Sequence, residues 1–352
     1  MRRRTMLLLP LAVTAGAASA ALLRRTRHGS DDRPTERPCT VQRAAMGTIW
    51  QVVLPAGSPG HAPDAAERAL DEVDRLESVL SEFRPGTEVS RVNAAAGGAP
   101  VAVGPDTWTM LEHSLQHAAR SDGAFDPTWA ALRGVWDFSA ASPVPPDADT
   151  VRALLPRVDW RAVEMDASTR RVRLARPGMA IGFGGIAKGY ALDRMRDILL
   201  REGVRDFLLY SGGQVLAEGT RNGRPWRVGV QHPRNPGALL GAVSITRGSV
   251  STGGDYEHFF VHQGRRYHHV IDPRTGWPVE HTASVTVITP TALEADALDT
   301  SLFVMSPERA MAHARERGLA VLRTSPSLRS EMTPAMEAVL DAAPSEGAAV
   351  PT

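Results

Sequence analysis

Cysteine is almost absent from this 352-residue chain. Cys39 is the only one, so no internal disulfide can form and no thiolate metal site can be built. Aromatic residues make up 5%, and the arginines are scattered without the aromatic interleaving of a single-strand nucleic-acid groove. Charge of one sign is lacking too. The 40 basic residues face 39 acidic ones, a net charge of +1, which implies neither nucleic acid nor an anionic membrane as partner. Beyond the N-terminus no stretch reaches the roughly 18 unbroken apolar residues that span a bilayer. No His-Glu-x-x-His occurs, and no Gly-Lys-Ser/Thr follows a glycine loop, which removes the helical zinc-protease and Walker patterns.

Glycine (31) and proline (26), by contrast, are plentiful and predict many turns. Arg2-Arg3-Arg4, the apolar run Met6 to Ala15 and the small residues Ala18-Ser19-Ala20 form the basic, apolar and small-residue order of an export signal. Arg3-Arg4-Thr5-Met6-Leu7-Leu8 is similar to a twin-arginine signal. Such a signal places the protein outside the cytoplasm, in the periplasm or at the outer face of the inner membrane. Residues 1–39 therefore read as signal and linker, 40–343 as the working domain and 344–352 as a small, polar, disordered tail.

Periodicity fills in the domain. Ala66, Leu70, Val73, Leu76 and Leu80 recur at helical spacing within Ala62 to Leu80, and Pro105-Asp106 opens a second helix. A short helix at Val151 to Leu155, a hairpin pairing Val163-Glu164-Met165 with Arg171-Val172-Arg173-Leu174, and a helix running to Leu200 follow. Short strands then dominate: Phe207 to Tyr210, Val215 to Glu218, Trp226 to Val230, Gly241 to Ile245, Tyr256 to His262, Tyr267 to Ile271 and Val285 to Ile288. Thr291-Ala292-Leu293-Glu294 is a capping box that starts a helix reaching Met305. The mixture, without repeats, predicts an α+β fold of mixed or antiparallel sheets flanked by helices.

Polar residues inside apolar runs mark the site, because burying them costs free energy unless they are paired or bind something. Gly182-Phe183-Gly184-Gly185-Ile186-Ala187, read as following a strand at Ile181, literally fits a dinucleotide fingerprint, but no acid follows the next strand. What remains is a backbone open to a ligand, helix-N-terminal amides that favour anions, and the charge of Lys188. The pairs Gly212-Gly213 and Gly253-Gly254, the latter beside Thr252, add to the case for a phosphate-bearing ligand. Asp296 and Thr300, four apart on one helix face, offer the hard oxygens that Mg²⁺ takes. Asp299 leaves the helix in another direction and reads as a supporting group or a plain surface acid. Five histidines fall between His258 and His281. His258 and His262 stand on one side of a strand, too far apart for a compact zinc pair, whereas His268-His269 precede Ile271-Asp272 and deserve a role.

Together Met46-Gly47-Thr48, the Phe83 to Asn93 segment, Phe125-Asp126-Pro127-Thr128, Gly184 to Gly189, Ser211-Gly212-Gly213, His269 to Gly276 and Ala295 to Thr300 resemble the ApbE family of FAD:protein FMN transferases, in the family's order over roughly residues 44 to 320. The resemblance implies an exported Mg²⁺-dependent enzyme. It would link the FMN half of FAD to a threonine or serine hydroxyl of a redox flavoprotein, at a short Asp-x-Gly-Ala-Thr/Ser-like motif, and release AMP. It implies metal ligation by the carbonyl of Ala187 and the side chains of Asp296 and Thr300. Cofactor contacts would come from Met46, Gly47, Thr48, Gly184, Gly185, Ile186, Lys188, Gly212, Gly213, Thr252 and Arg274. Catalytic roles fall to Lys188 and to His269 or Asp272, either of which could accept a proton. Three positions depart from the family pattern: Gly182 stands where many members carry an acid, Asp299 replaces a serine, and Thr252-Gly253-Gly254 replaces a Thr-Ser-Gly turn. An FAD pyrophosphatase or flavin-storing protein, and a non-enzymatic maturation scaffold for a membrane redox complex, are the alternative readings.

Overall fold

A computed structural model describes residues 34–138 and 140–342. The expected export signal, most of the expected linker and the expected tail lie outside the described residues.

The frame is an eight-stranded sheet in which every neighbouring pair is antiparallel. Its spatial order is Cys39–Ala45, Thr48–Leu54, Phe207–Ser211, Gln214–Glu218, Arg247–Gly254, Ser284–Thr289, Ala320–Thr324 and Ser330–Met332. Alternation assigns the two faces. Trp50, Val52, Leu54, Phe207 and Leu209 turn towards the helices, where they meet Leu70, Val73 and Leu76 of helix Ala62–Leu80 and Leu192, Met195 and Leu199 of helix Ala187–Arg201. Val285, Val287 and Val321 meet Leu298, Leu302 and Phe303 of helix Ala292–Val304 in the same way. On the other face Val250 and Leu322 pack against Val228, Val230 and Val243 of a three-stranded sheet. Each such side chain contributes about 1.5–3 kcal/mol by leaving water, so both layers are needed to cover the sheet.

The helices expected at Ala62–Leu80 and Pro105–Ser121 form as read, and the short one spans Ala148–Leu154. The capping box is only half made. Thr291 Oγ1 accepts from Glu294 N at 3.4 Å, but the Glu294 carboxylate is drawn to Arg317 at 2.6 Å. Asp193 takes over, accepting from the N–H groups of Ala292 and Leu293 at 3.0 and 2.9 Å. No strand precedes the glycine run at Ile181, so the dinucleotide fingerprint lacks its required context. Asn93 imitates a pairing strand instead, accepting from Ile181 N at 2.7 Å and donating to its carbonyl at 2.9 Å. Thr252-Gly253-Gly254 is the end of the strand Arg247–Gly254 and not a turn. The strand read from Tyr256 begins at Phe259, leaving His258 outside it, and its partner Arg265–His268 stops before His269.

Candidate active site

Two hairpin turns bring main chain to one point at the sheet's end. Met46 and Gly47 both have positive φ, 47° and 73°, which a two-residue turn between twisted strands requires. Gly212 and Gly213, at 49° and 86°, do the same for the next hairpin. A side chain on Gly212 would stand 3.2 Å from Thr48 Oγ1 and 3.6 Å from Lys188 Cδ, so the two turns and the lysine converge.

Lys188 opens helix Ala187–Arg201, and the crossing of that helix with Ala292–Val304 organises the rest. Gly189 permits the crossing, because a Cβ there would lie 2.2 Å from the Ala292 carbonyl oxygen. Each helix caps the other at this point. Asp193 holds the amides that start Ala292–Val304, and Asp296 Oδ2 accepts from Gly189 N at 2.9 Å. The other Asp296 oxygen lies 3.6 Å from Lys188 Nζ, and that ammonium also donates to the Gly184 carbonyl at 3.1 Å.

Asp299 is not a surface acid. It is buried, its Oδ2 accepts from Ser251 Oγ at 2.5 Å and its Oδ1 from Thr300 Oγ1 at 3.1 Å. Residues three apart on a helix share a side, and Asp296 and Asp299 both border the same cavity. Burial, and then the neighbouring Asp296 charge, push Asp299 up to about 7.

The adjacent histidines divide their work. His268 is structural: its Nε2 meets the Val279 carbonyl at 2.6 Å, its Nδ1 accepts from Val270 N at 3.2 Å, and its ring abuts Phe303. His269 packs edge-on to His258 with ring centroids 5.4 Å apart, and its Nδ1 is buried without a hydrogen-bond partner. Desolvation, then the nearby His258, hold its pKa down to about 4, so at neutral pH the ring is uncharged.

Lys188, the two acids, Thr300 and His269 border one cavity of about 670 Å³, within the range of small-molecule sites. Its wall includes Met46, Gly47, Thr48, Gly184, Gly185, Lys188, Gly212, Thr252, His269, Asp296 and Thr300. It also includes Glu82, Asp126, Trp129, Arg133 and Ser251, which sequence reasoning did not single out as site residues. Asp126 is signalled by its Asp-Pro-Thr context: Oδ1 caps Thr128 N at 2.7 Å, Oδ2 takes Trp160 N at 3.2 Å, and burial raises its pKa. A smaller cleft of about 290 Å³ adjoins at Met46, Phe83 and Lys188, and Ala187 borders that one.

Asp272 and Arg274 are absent from both walls and pair with each other instead. Arg274 Nε and Nη2 donate to the two Asp272 carboxylate oxygens at 2.8 Å, fixing the turn that ends in Gly276. Ile186 is wholly buried in the core and Gly213 is exposed at the hairpin turn, and neither borders the cavity.

Among the described residues no three His, Cys, Asp or Glu side chains converge as a metal-binding group. A cation here would therefore draw on one or two carboxylates, a hydroxyl and main-chain oxygen. That donor set suits Mg²⁺, which keeps several waters and substrate oxygens in its shell. Asp296 is buried, and its carboxylate meets one amide and one lysine, which fits a cation site.

The ApbE family profile matches residues 46–323. The FAD:protein FMN transferase of Treponema pallidum (strain Nichols) is 35% identical over 291 residues, 77% of this chain and 80% of that protein. That of Escherichia coli (strain K12) is 31% identical over 305 residues, 84% of this chain and 87% of that one. The crystal structure of the ApbE protein from Thermotoga maritima superposes with a TM-score of 0.80 at 30% identity, covering 86% of this chain and 99% of the other. The apo flavinyl transferase ApbE of Pseudomonas stutzeri gives 0.75 at 28% identity, with 87% and 99% covered. The chain belongs to the ApbE family of FAD:protein FMN transferases.

Proposed function

We infer that the protein transfers the FMN half of FAD to a threonine or serine hydroxyl of an acceptor redox flavoprotein and releases AMP. Membership of the family supports the flavin transferase reaction. The observation that carries the reading to this chain is the convergence, on one cavity, of Asp296 and Thr300, Lys188, and an uncharged His269 with a free ring nitrogen.

Asp296 and Thr300, with the Ala187 carbonyl, would hold Mg²⁺, which supplies neutralisation of pyrophosphate charge when bound. Lys188 adds a fixed positive charge beside the glycine backbone, where phosphate oxygens gain charge as the bond breaks. His269 accepts the proton of the incoming hydroxyl. The acceptor oxygen bonds to the phosphorus of the FMN half as the bond from that phosphorus to the bridging oxygen breaks, and AMP departs with that oxygen. Asp272 is less suited to the proton transfer, since Arg274 occupies both of its oxygens.

Among the described residues no helix is long and apolar enough to cross a membrane. Export through the N-terminal signal, as a domain spanning residues 40–343, and a membrane redox subunit bearing the Asp-x-Gly-Ala-Thr/Ser-like motif as acceptor complete the reading. Its test is AMP release from FAD and Mg²⁺ with and without an acceptor domain. Release that requires the acceptor supports transfer. Equal release of AMP and free FMN without it means a pyrophosphatase. No release and no FAD binding points to the scaffold.

A further inference from the structure

Glu82 lies just beyond the helix Ala62–Leu80, where a carboxylate on a turn would ordinarily face water. Its side chain is instead only 5% exposed and forms part of the cavity wall. Two partners account for its burial: Oε2 accepts from Phe183 N at 3.0 Å, and the carboxylate is ion-paired with Arg133. The Arg133 guanidinium in turn lies over the Phe83 ring, 4.6 Å from its centroid, and 5.7 Å from that of Trp129. All four side chains border the cavity.

Position 182 explains how the carboxylate gets in. A Cβ on Gly182 would stand 2.0 Å from Glu82 Oε2, 2.7 Å from its Cδ and 2.9 Å from Arg133 Nη2. A side chain at 182 and the Glu82 carboxylate therefore claim the same volume, and both address the same guanidinium. Gly182 itself is fixed through its N–H to the Pro127 carbonyl at 2.9 Å, so the backbone there cannot back away cheaply.

We propose that Glu82 is a positioning residue of the transfer site, its carboxylate reaching from the neighbouring turn into the space vacated at Gly182 to tie down the glycine loop and hold Arg133 against Phe83 and Trp129. The absence of a side chain at 182 thus leaves the room that the Glu82 carboxylate fills. Glu82 acts on the shape of the ligand-binding wall, since its oxygens are committed to Phe183 N–H and Arg133. This rests on the flavin transferase reading.

The experiment is a cycle of Glu82→Ala, Gly182→Asp and the double variant, each assayed for KM for FAD, kcat and thermal midpoint in the full chain. Removing one charge-assisted partner costs on the order of tenfold in binding, so Glu82→Ala should raise KM for FAD about tenfold, with kcat falling less than KM rises. Gly182→Asp alone sets two carboxylates in one space and should also bind poorly. The double variant should recover KM to within about threefold of wild type, because the new acid reaches the Arg133 guanidinium from the other side. A merely structural Glu82 would lower the thermal midpoint in Glu82→Ala while leaving KM for FAD of the folded protein unchanged. Wild-type KM in either single variant, or a double variant no better than Glu82→Ala, overturns the proposal. Should Glu82→Ala not fold, the double variant still decides: folded and FAD-binding supports the positioning role of an acid in this space, while a failure to fold or bind contradicts it. An inactive wild type would sink the transferase reading instead, so the two failures are distinct.

Discussion

Asp296 carries the most direct chemical assignment at the level of single residues. It is buried, braces Gly189 N–H and approaches Lys188, so Asp296→Ala removes both a helix cap and the principal anionic oxygen of the site. Transfer should fall at least about a hundredfold, and the Mg²⁺ dependence of what remains should flatten. Asp299→Ala should be nearly as damaging, because its carboxylate holds Ser251 and Thr300. Activity near normal in Asp299→Ala would show that Thr300 needs no such support. His269 gives a pH signature. Its folded pKa of about 4 lies below the ordinary value near 6.5, so below that value the unfolded chain takes up a proton that the folded one refuses. Stability tied to this residue is intact above pH 6.5 and is lost as pH falls towards 4. Urea unfolding at pH 7.5 and 5.0 should show wild type losing up to about 2 kcal/mol more than His269→Gln. Equal losses would place the imidazole in water. The residue types at the site were legible in the sequence because a carboxylate, a hydroxyl and a lysine stand out in apolar or glycine-rich runs. Glu82 and Arg133 were not, since each looks like a surface charge until the turn that buries it is known.

The crossing of Ala187–Arg201 with Ala292–Val304 is the element on which the site depends. Each helix supplies the other's missing cap, through Asp193 in one direction and Asp296 in the other, so displacing one helix uncaps both and moves Lys188 from Thr300. Gly189→Ala forces a methyl group to within 2.2 Å of the Ala292 carbonyl oxygen as the helices stand. Overpacking of this kind costs about 1–3 kcal/mol, which lowers the thermal midpoint by several degrees. Transfer activity should fall with it at a temperature where the protein is still folded. A variant with unchanged melting and activity would mean that the helices are not in contact there. Asp193→Ala should cost about 1 kcal/mol by the loss of the cap. Helix periodicity was readable in advance because Leu70, Val73 and Leu76 repeat on one face. The reciprocal capping was not, for the Thr-x-x-Glu pattern at Thr291 gives no sign that Arg317 will claim Glu294. The strand Arg247–Gly254 escaped for a related reason: three glycines and two serines lower its strand propensity, and pairing on both sides overrides it.

For the whole molecule, one sheet with a helix layer on one face and a small sheet on the other leaves the cavity at the ends of its central strands, fed by loops from distant parts of the chain. The α+β class followed from composition and periodicity, whereas the order of the eight strands depends on long-range pairing that no local pattern encodes. The export proposed for this chain is tested at its N-terminus. Replacing Arg3 and Arg4 with lysine should block translocation if the twin-arginine route is used, and undiminished protein outside the cytoplasm would leave general secretion as the route. The most direct test of the reaction is the intact mass of an acceptor domain incubated with this protein, FAD and Mg²⁺. Its mass should rise by one FMN less water, only when the motif's hydroxyl residue is present and not with Asp296→Ala protein. An unchanged acceptor mass with wild-type protein that binds FAD, or equal gain after the hydroxyl is replaced by alanine, would contradict transfer to that hydroxyl.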